Sequence, residues 1–273
     1  ICSTDDPLDS LEHHINHSTS GSSIYMNPTF RPDKSILINA PNYNEYIDAL
    51  EISVSFKINS FDIHVSKSVP LYNEGHDLSC QLSEFFVPYN GRILHIGSST
   101  GALSKKLALY LQNKNVSITA LDIEQDMIDE SKRKNSDKSI TYICEDINNF
   151  EAEEESLNLV LAYYSIQFIH PSQRQNIINK IYKSLKWGGA FLMFEKVRGS
   201  DARFQDILSS CYLDFKISNG YSYENIIKKQ QSLKSVLEPF SRQGNIDLLN
   251  RAGFSDIETV QKYICFEGFL SIK

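Results

Sequence analysis

The sequence predicts a doubly wound α/β domain, with a seven-stranded, mostly parallel sheet ending in an antiparallel C-terminal hairpin. Three observations predict it. From about residue 75, apolar strand-like runs alternate with helical stretches of ten or more residues, the pattern of βαβ units. The first strand runs directly into Gly97-Ser98-Ser99-Thr100-Gly101, a glycine-bounded turn that opens a helix. The last two strands, about 256–265 and 267–273, are joined too closely for a helical crossover and must pair antiparallel.

Each element follows from its own pattern. A helix over about 75–86 leads to the strand Arg92–Gly97, then helix 101–112, strand 117–123, helix 125–134 and strand 140–146. Strand 157–165, helix 171–186 and strand 189–197 complete the alternation. Residues 201–235 interrupt it with two helical stretches, an insert after the fifth strand. Helix 243–252 stops at Gly253, a residue type that ends helices because it tolerates positive φ. Residues 61–273 therefore read as one domain. Residues 1–60 read as a partly flexible N-terminal extension, with a Ser/Thr/Gly cluster at 18–23. A strand is expected near 50–58, where Ile52, Val54, Phe56 and Ile58 alternate with polar residues.

The formal net charge of -7, from 27 Lys+Arg against 34 Asp+Glu, makes a phosphate backbone a poor partner. The five cysteines, Cys2, Cys80, Cys144, Cys211 and Cys265, are widely spaced and form no CxxC pair, which argues against a disulfide framework or a zinc site. His13 and His17 would share a helix face at a metal-binding spacing. No catalytic carboxylate pattern accompanies them, so solvated histidines and no metal are expected. There is no run of eighteen apolar residues and no basic-then-apolar leader pattern, so no membrane span is expected and the cytoplasm is the expected address.

The turn at Gly97 to Gly101 is where the chain's chemistry is expected. Glycine lets the backbone approach a ligand closely, and free amides beside a helix N-terminus favour a carboxylate such as that of a methionine moiety. Ser98 and Ser99 can add hydroxyl contacts. The next strand ends in Ala120-Leu121-Asp122, where an acid can accept hydrogen bonds from both ribose hydroxyls. The third ends in Glu145-Asp146-Ile147, where an Asp can take an exocyclic amine and Ile147 can pack on the adenine ring. The dinucleotide alternative fits less well, because Gly-x-Gly is absent and the sheet ends in a hairpin. Together these features predict a Rossmann-like class I methyltransferase fold that binds S-adenosyl-L-methionine or S-adenosyl-L-homocysteine.

Beyond the loop, several stretches resemble the carboxy-S-adenosylmethionine synthase family, which serves tRNA wobble-uridine modification. They are Ser68-Val-Pro-Leu-Tyr72, Gly97 to Ala102, Ile166-Gln-Phe-Ile-His-Pro171, Gln173-Arg-Gln175, Asn179 to Tyr182, Gly188-Gly-Ala190, Phe194-Glu-Lys196, Asp214-Phe-Lys216, Asn219-Gly-Tyr-Ser222 and Ala252-Gly-Phe254. The resemblance spans roughly residues 61–273 and implies cofactor contacts at Tyr72, Gly97, Ser98, Ser99, Asp122, Ile123, Asp146, Ile147 and Tyr163, with a dimer as the family's assembly. Three positions depart from the family pattern. His95 replaces an acid before the loop, and Tyr163 replaces an Asn at the end of the fourth strand. Gln230 replaces an Arg that pairs the extra carboxylate of the family's product. A neutral amide cannot replace a guanidinium, and in a buried site that loss costs on the order of 2–5 kcal/mol, which favours the plain methyl donor.

Aromatic residues gather toward the expected acceptor side: Tyr72, Tyr163, Tyr164, Phe168, Tyr212, Phe215, Tyr221 and Tyr223, most of them expected to be packing residues. Tyr163, His95 and His170 are the candidate catalytic groups, with Glu195 a further base candidate unless it pairs with Lys196. Tyr164, Arg198, Tyr221, Lys229 and Gln230 are the candidate substrate contacts. Three functions stay open: methyl transfer to a small molecule, carboxy-S-adenosylmethionine synthesis from prephenate, and non-catalytic binding or scaffolding.

Overall fold

The computed structural model describes residues 61–273, all within the unit that begins at Phe56. The expected strand near 50–58, the Ser/Thr/Gly cluster and His13 and His17 lie outside the described residues. Among the described residues no helix is long and apolar enough to cross a membrane, and no group of three His, Cys, Asp or Glu could hold a metal ion.

Helical residues 61–68 lead into α1 (Tyr72–Phe86). Then come β1 (Arg92–Ile96), α2 (Ala102–Tyr110), β2 (Ser117–Asp122), α3 (Gln125–Lys134) and β3 (Ile140–Cys144). β4 (Leu157–Tyr163), α4 (Pro171–Ser184) and β5 (Leu185–Lys196) follow. The insert is α5 (Ala202–Ser218) and α6 (Tyr223–Ser232); α7 (Arg242–Ala252), β6 (Asp256–Tyr263) and β7 (Phe266–Ile272) close the chain. The seven strands lie in the order β3-β2-β1-β4-β5-β7-β6, with only the β5–β7 and β7–β6 pairings antiparallel. The expected layout is therefore the observed one. The strand order reverses between β1 and β4, which opens a crevice at their carboxyl ends, the usual ligand position in such sheets.

Period-two alternation builds a core on each side of the sheet. Ile93, Leu161 and Leu192 face Cys80 of α1, Leu107 of α2 and Ile128 of α3. Leu94, Val160 and Phe191 face Ile177 and Ile181 of α4 and Leu249 of α7. Every residue of β4 is buried, as a parallel strand covered on both faces requires. By contrast α5 has no buried residue, and its Phe204 and Ile207 stay exposed. Several boundaries move by one to four residues, and one has a clear cause. α4 ends at Ser184, because Leu185 already pairs with Leu157 and so lengthens β5 toward its start.

Candidate active site

The loop after β1 is shaped by positive φ. Gly97 has φ 68, and a Cβ there would lie 2.4 Å from the Cβ of Ser165, so no side chain fits. Ser165 in turn fixes the loop's start by donating to the Ile96 carbonyl at 2.9 Å. Ser98 N–H donates to the Leu121 carbonyl at 2.7 Å, which ties the loop across to β2. Ser99 holds φ 50, and Gly101, with φ 76, caps α2. The Ser98 hydroxyl is buried and has no hydrogen-bond partner, an unmet need at the point where a ligand would approach.

Asp122 ends β2 beside this loop. Its Oδ2 accepts from Ser99 N–H at 2.7 Å and its Oδ1 from Glu124 N–H at 3.0 Å. Burial raises its pKa, and the backbone N–H groups of Glu124, Ser99 and Ile123 oppose that rise. Each oxygen keeps a further lone pair, so the carboxylate can still accept from a sugar. At the end of β3, Asp146 Oδ1 accepts from the backbone and side-chain amides of Asn148, both at 2.9 Å. Ile147 packs on the core beside it, while Ile123 is 61% exposed and offers an apolar surface to a flat ring.

The structure also supplies a loop contact that the sequence did not signal. Asp62, on helical residues 61–68, accepts from the Thr100 hydroxyl and pairs with Lys134 at 3.0 Å. Neither Asp62 nor Ser165 lies in a motif, and only their spatial placement reveals them.

The β4 end carries Tyr163 and Tyr164. Tyr163 donates its hydroxyl proton to the Tyr72 carbonyl at 2.7 Å, and its ring packs among Tyr72, His76, Tyr164 and Phe194. Burial pushes its pKa further up. The hydroxyl expected to orient or deprotonate an acceptor is thus engaged with the Tyr72 carbonyl and holds the Tyr72 segment against β4. His95 is engaged in a similar way. It is 2% exposed, lies within 2.7 Å of the Ser104 hydroxyl through Nδ1, and burial lowers its pKa to about 3. It supports α2 behind the loop instead of facing the crevice. His170 is exposed and caps α4, its Nδ1 accepting from Ser172 N–H. Phe168 and Tyr223 are also exposed.

Glu195 and Lys196 do not pair with each other. Adjacent strand residues point to opposite faces, and Glu195 is fully buried toward Arg174 while Lys196 lies over the Tyr212 ring. Tyr164 has a buried hydroxyl with no partner and φ 58. Tyr221 is engaged by His64, 3.0 Å from both its Nδ1 and its carbonyl. Arg198 is exposed and donates its backbone N–H to Phe240. Lys229 and Gln230 lie exposed on α6. The penalty reasoned for a buried Gln230 therefore does not apply to this position.

Comparison with known proteins follows this geometry. Residues 93–189 match a family described as a methyltransferase domain. A second family model, described as glucuronate isomerase, matches residues 1–87, most of them outside the described residues. The carboxy-S-adenosyl-L-methionine synthase of Staphylococcus epidermidis is 36% identical over 215 residues, covering 79% of this chain and 93% of that protein. Its namesake in Campylobacter lari is 34% identical over 215 residues, covering 78% of this chain and 90% of that protein. Among solved structures, Haemonchus contortus phosphoethanolamine N-methyltransferase 2 in complex with S-adenosyl-L-methionine is similar with a TM-score of 0.53 and 17% identity, over 73% of this chain and 52% of that one. A likeness at that identity concerns the fold alone.

Proposed function

The chain belongs to the carboxy-S-adenosyl-L-methionine synthase family, and on that premise we propose that it transfers a methyl group to a small-molecule acceptor. It is an S-adenosylmethionine-dependent enzyme of the methyltransferase type, with the class I fold. The observation that carries the site assignment is the pairing of Asp122, half-buried with lone pairs to spare, with the unpartnered Ser98 hydroxyl across the Gly97 loop.

These residues fit the cofactor. Asp122 would hold the ribose, Ile123 and Ile147 would flank the adenine, and the Gly97–Gly101 amides with the Ser98 hydroxyl would take the aminoacyl end. Bound there, S-adenosylmethionine supplies an electrophilic methyl group on a sulfonium. The protein's share of the work is alignment and exclusion of water, because displacement at such a carbon needs in-line geometry more than acid–base help. Tyr163 and Tyr164, packed on Phe194, wall the crevice at the β4 end. Calorimetric titration with S-adenosylhomocysteine tests the assignment. Asp122→Ala should weaken binding roughly 30-fold or more, as loss of hydrogen bonds to a charged group implies; unchanged affinity would overturn it.

A second reading is favoured by the exposure of Gln230, which removes the reason to exclude a carboxylated product. Prephenate and S-adenosylmethionine incubated with the protein would then give the carboxylated nucleoside, and mass spectrometry of that mixture separates the two readings. The acidic balance supports a small-molecule acceptor over nucleic acid, and the cytoplasm is the compartment we propose. Exposed Phe204 and Ile207 on α5 support a homodimer, which sedimentation equilibrium reads directly.

A further inference from the structure

Ser98 and Ser99 of the cofactor loop are tied to β2 and α3. Ser98 N–H donates to the Leu121 carbonyl and Ser99 N–H to the Asp122 carboxylate, while the Ser99 carbonyl accepts from the Ser131 hydroxyl of α3 at 2.7 Å. Thr100, the next residue, has a different anchor. It is 4% exposed, and its hydroxyl donates to Asp62 Oδ1. Asp62 Oδ2 accepts from Lys134 at the end of α3, and Lys134 also lies 3.2 Å from Glu130. A carboxylate acceptor makes the Thr100 bond charge-assisted and so stronger than a neutral one.

The loop needs such an anchor. Positive φ occurs at Gly97, Ser99 and Gly101, and of these Ser99 alone carries a side chain. The left-handed conformation costs free energy at such a residue and persists only where its surroundings enforce it. Relaxation of Ser99 toward negative φ would turn its N–H away from Asp122 Oδ2, the carboxylate assigned to the ribose. Fixing Thr100 opposes that rotation from the adjoining residue.

Asp62 is itself positioned from the insert. Leu71, at φ 54, breaks the helical path between residues 61–68 and α1, so α1 alone does not set where Asp62 lies. Two tyrosines supply the rest. The Tyr221 hydroxyl lies 3.0 Å from both the Nδ1 and the carbonyl of His64, and the Tyr212 hydroxyl donates to the Ser68 carbonyl at 2.9 Å. Tyr212 belongs to α5, and Tyr221 lies between α5 and α6. A hydrogen-bonded path thus runs from the insert through residues 61–68 to the cofactor loop.

We propose that Asp62 is a positioning residue for the nucleoside. Through Thr100 it keeps Ser99 in its left-handed conformation and Asp122 set for the ribose, and the insert holds Asp62 in place through His64 and Ser68. The inference rests on the S-adenosylmethionine-dependent reading above and deepens it, because the insert becomes part of what makes the cofactor site rigid.

S-adenosylhomocysteine titrated calorimetrically into the full chain reads the effect. Asp62→Ala and Thr100→Val should each weaken binding about tenfold, and the double variant no more than about twofold beyond the weaker single, because both remove the same bond. Asp62→Asn keeps an acceptor and Thr100→Ser keeps a hydroxyl, so each should stay within about threefold of wild type. Tyr221→Phe should cost about threefold in the wild-type background and nothing once Asp62 is alanine. Without ligand, hydrogen exchange at the Ser99 amide should be faster in Asp62→Ala and in Thr100→Val. Should Asp62→Ala fail to fold, Thr100→Val, which leaves the pair of Asp62 with Lys134 in place, carries the test. Unchanged affinity and exchange in Thr100→Val, additive losses in the double variant, or an Asp62→Asn protein as weak as Asp62→Ala would overturn the proposal. A wild-type chain that binds no nucleoside, with Ser99 exchange still faster in the variants, would overturn the cofactor site while supporting the loop anchor.

Discussion

The two halves of the crevice satisfy their polar groups in opposite ways. On the cofactor side, Asp122 already accepts two backbone N–H bonds, and Thr100 is held by Asp62. The Ser98 hydroxyl is the orphan there. On the acceptor side, Lys196 and Lys216 meet an aromatic face and no acid. The first half is shaped in advance, so ligand binding there costs little reorganisation. The second places two cations over one ring, with no acid among the described residues paired to either. The contrast teaches that the fixed half should respond to backbone changes and the open half to charge.

The largest effect is expected where the fixed half has no slack. Gly97→Ala places a Cβ about 2.4 Å from Ser165 Cβ, at a φ that side chains rarely adopt. The variant should lose at least about 2 kcal/mol of stability and nearly all nucleoside affinity, read by denaturant unfolding and calorimetry. If it retained wild-type values, the loop would be freer than its contacts with Ser165 and Leu121 imply.

On stability alone an acid-dependent loss is as large, because two neutral histidines are buried behind the loop. His95 and His76 are 2% and 5% exposed; burial lowers the pKa of His95 to about 3 and that of His76 to about 4. Both folded values lie below the ordinary 6.5, so the unfolded chain binds more protons between those limits, and stability rises with pH there. Acidification from pH 6.5 toward 4.5 should cost about 1.4 kcal/mol per pH unit for each histidine once the window is entered. His95→Gln should remove roughly half of that slope in thermal unfolding. An unaltered slope would show that groups other than these histidines set the acid limit; Glu195, whose pKa burial raises, acts in the opposite sense.

These effects also show what the sequence could carry. The places of Gly97, Asp122 and Asp146 at neighbouring strand ends were legible because a doubly wound sheet lines up successive strand ends, so position along the chain becomes position along the sheet's carboxyl edge. The parallel alternation and the closing hairpin were legible from periodicity and loop length alone. The meeting of Lys196 and Lys216 over Tyr212 was not, because no local pattern along the chain reports a contact between β5 and α5. For Tyr163 and His95 a place on the strand says nothing of where a hydroxyl or ring finds its partner. In the folded chain those partners are the Tyr72 carbonyl and the Ser104 hydroxyl.

The smallest effect is expected at Gln230, the position that most separates this chain from the family pattern. The residue is exposed on α6, two turns beyond the Ser222 cap, and the charges nearest it in sequence are exposed lysines. An arginine placed there would be solvated and screened by salt, which limits its contribution to about 1 kcal/mol or less. Gln230→Arg should therefore change the proportion of carboxylated to plain nucleoside recovered with the protein by less than about threefold. A tenfold rise in the carboxylated form would place position 230 against the bound nucleoside in the working enzyme. The open half would then depend on α6 for its specificity.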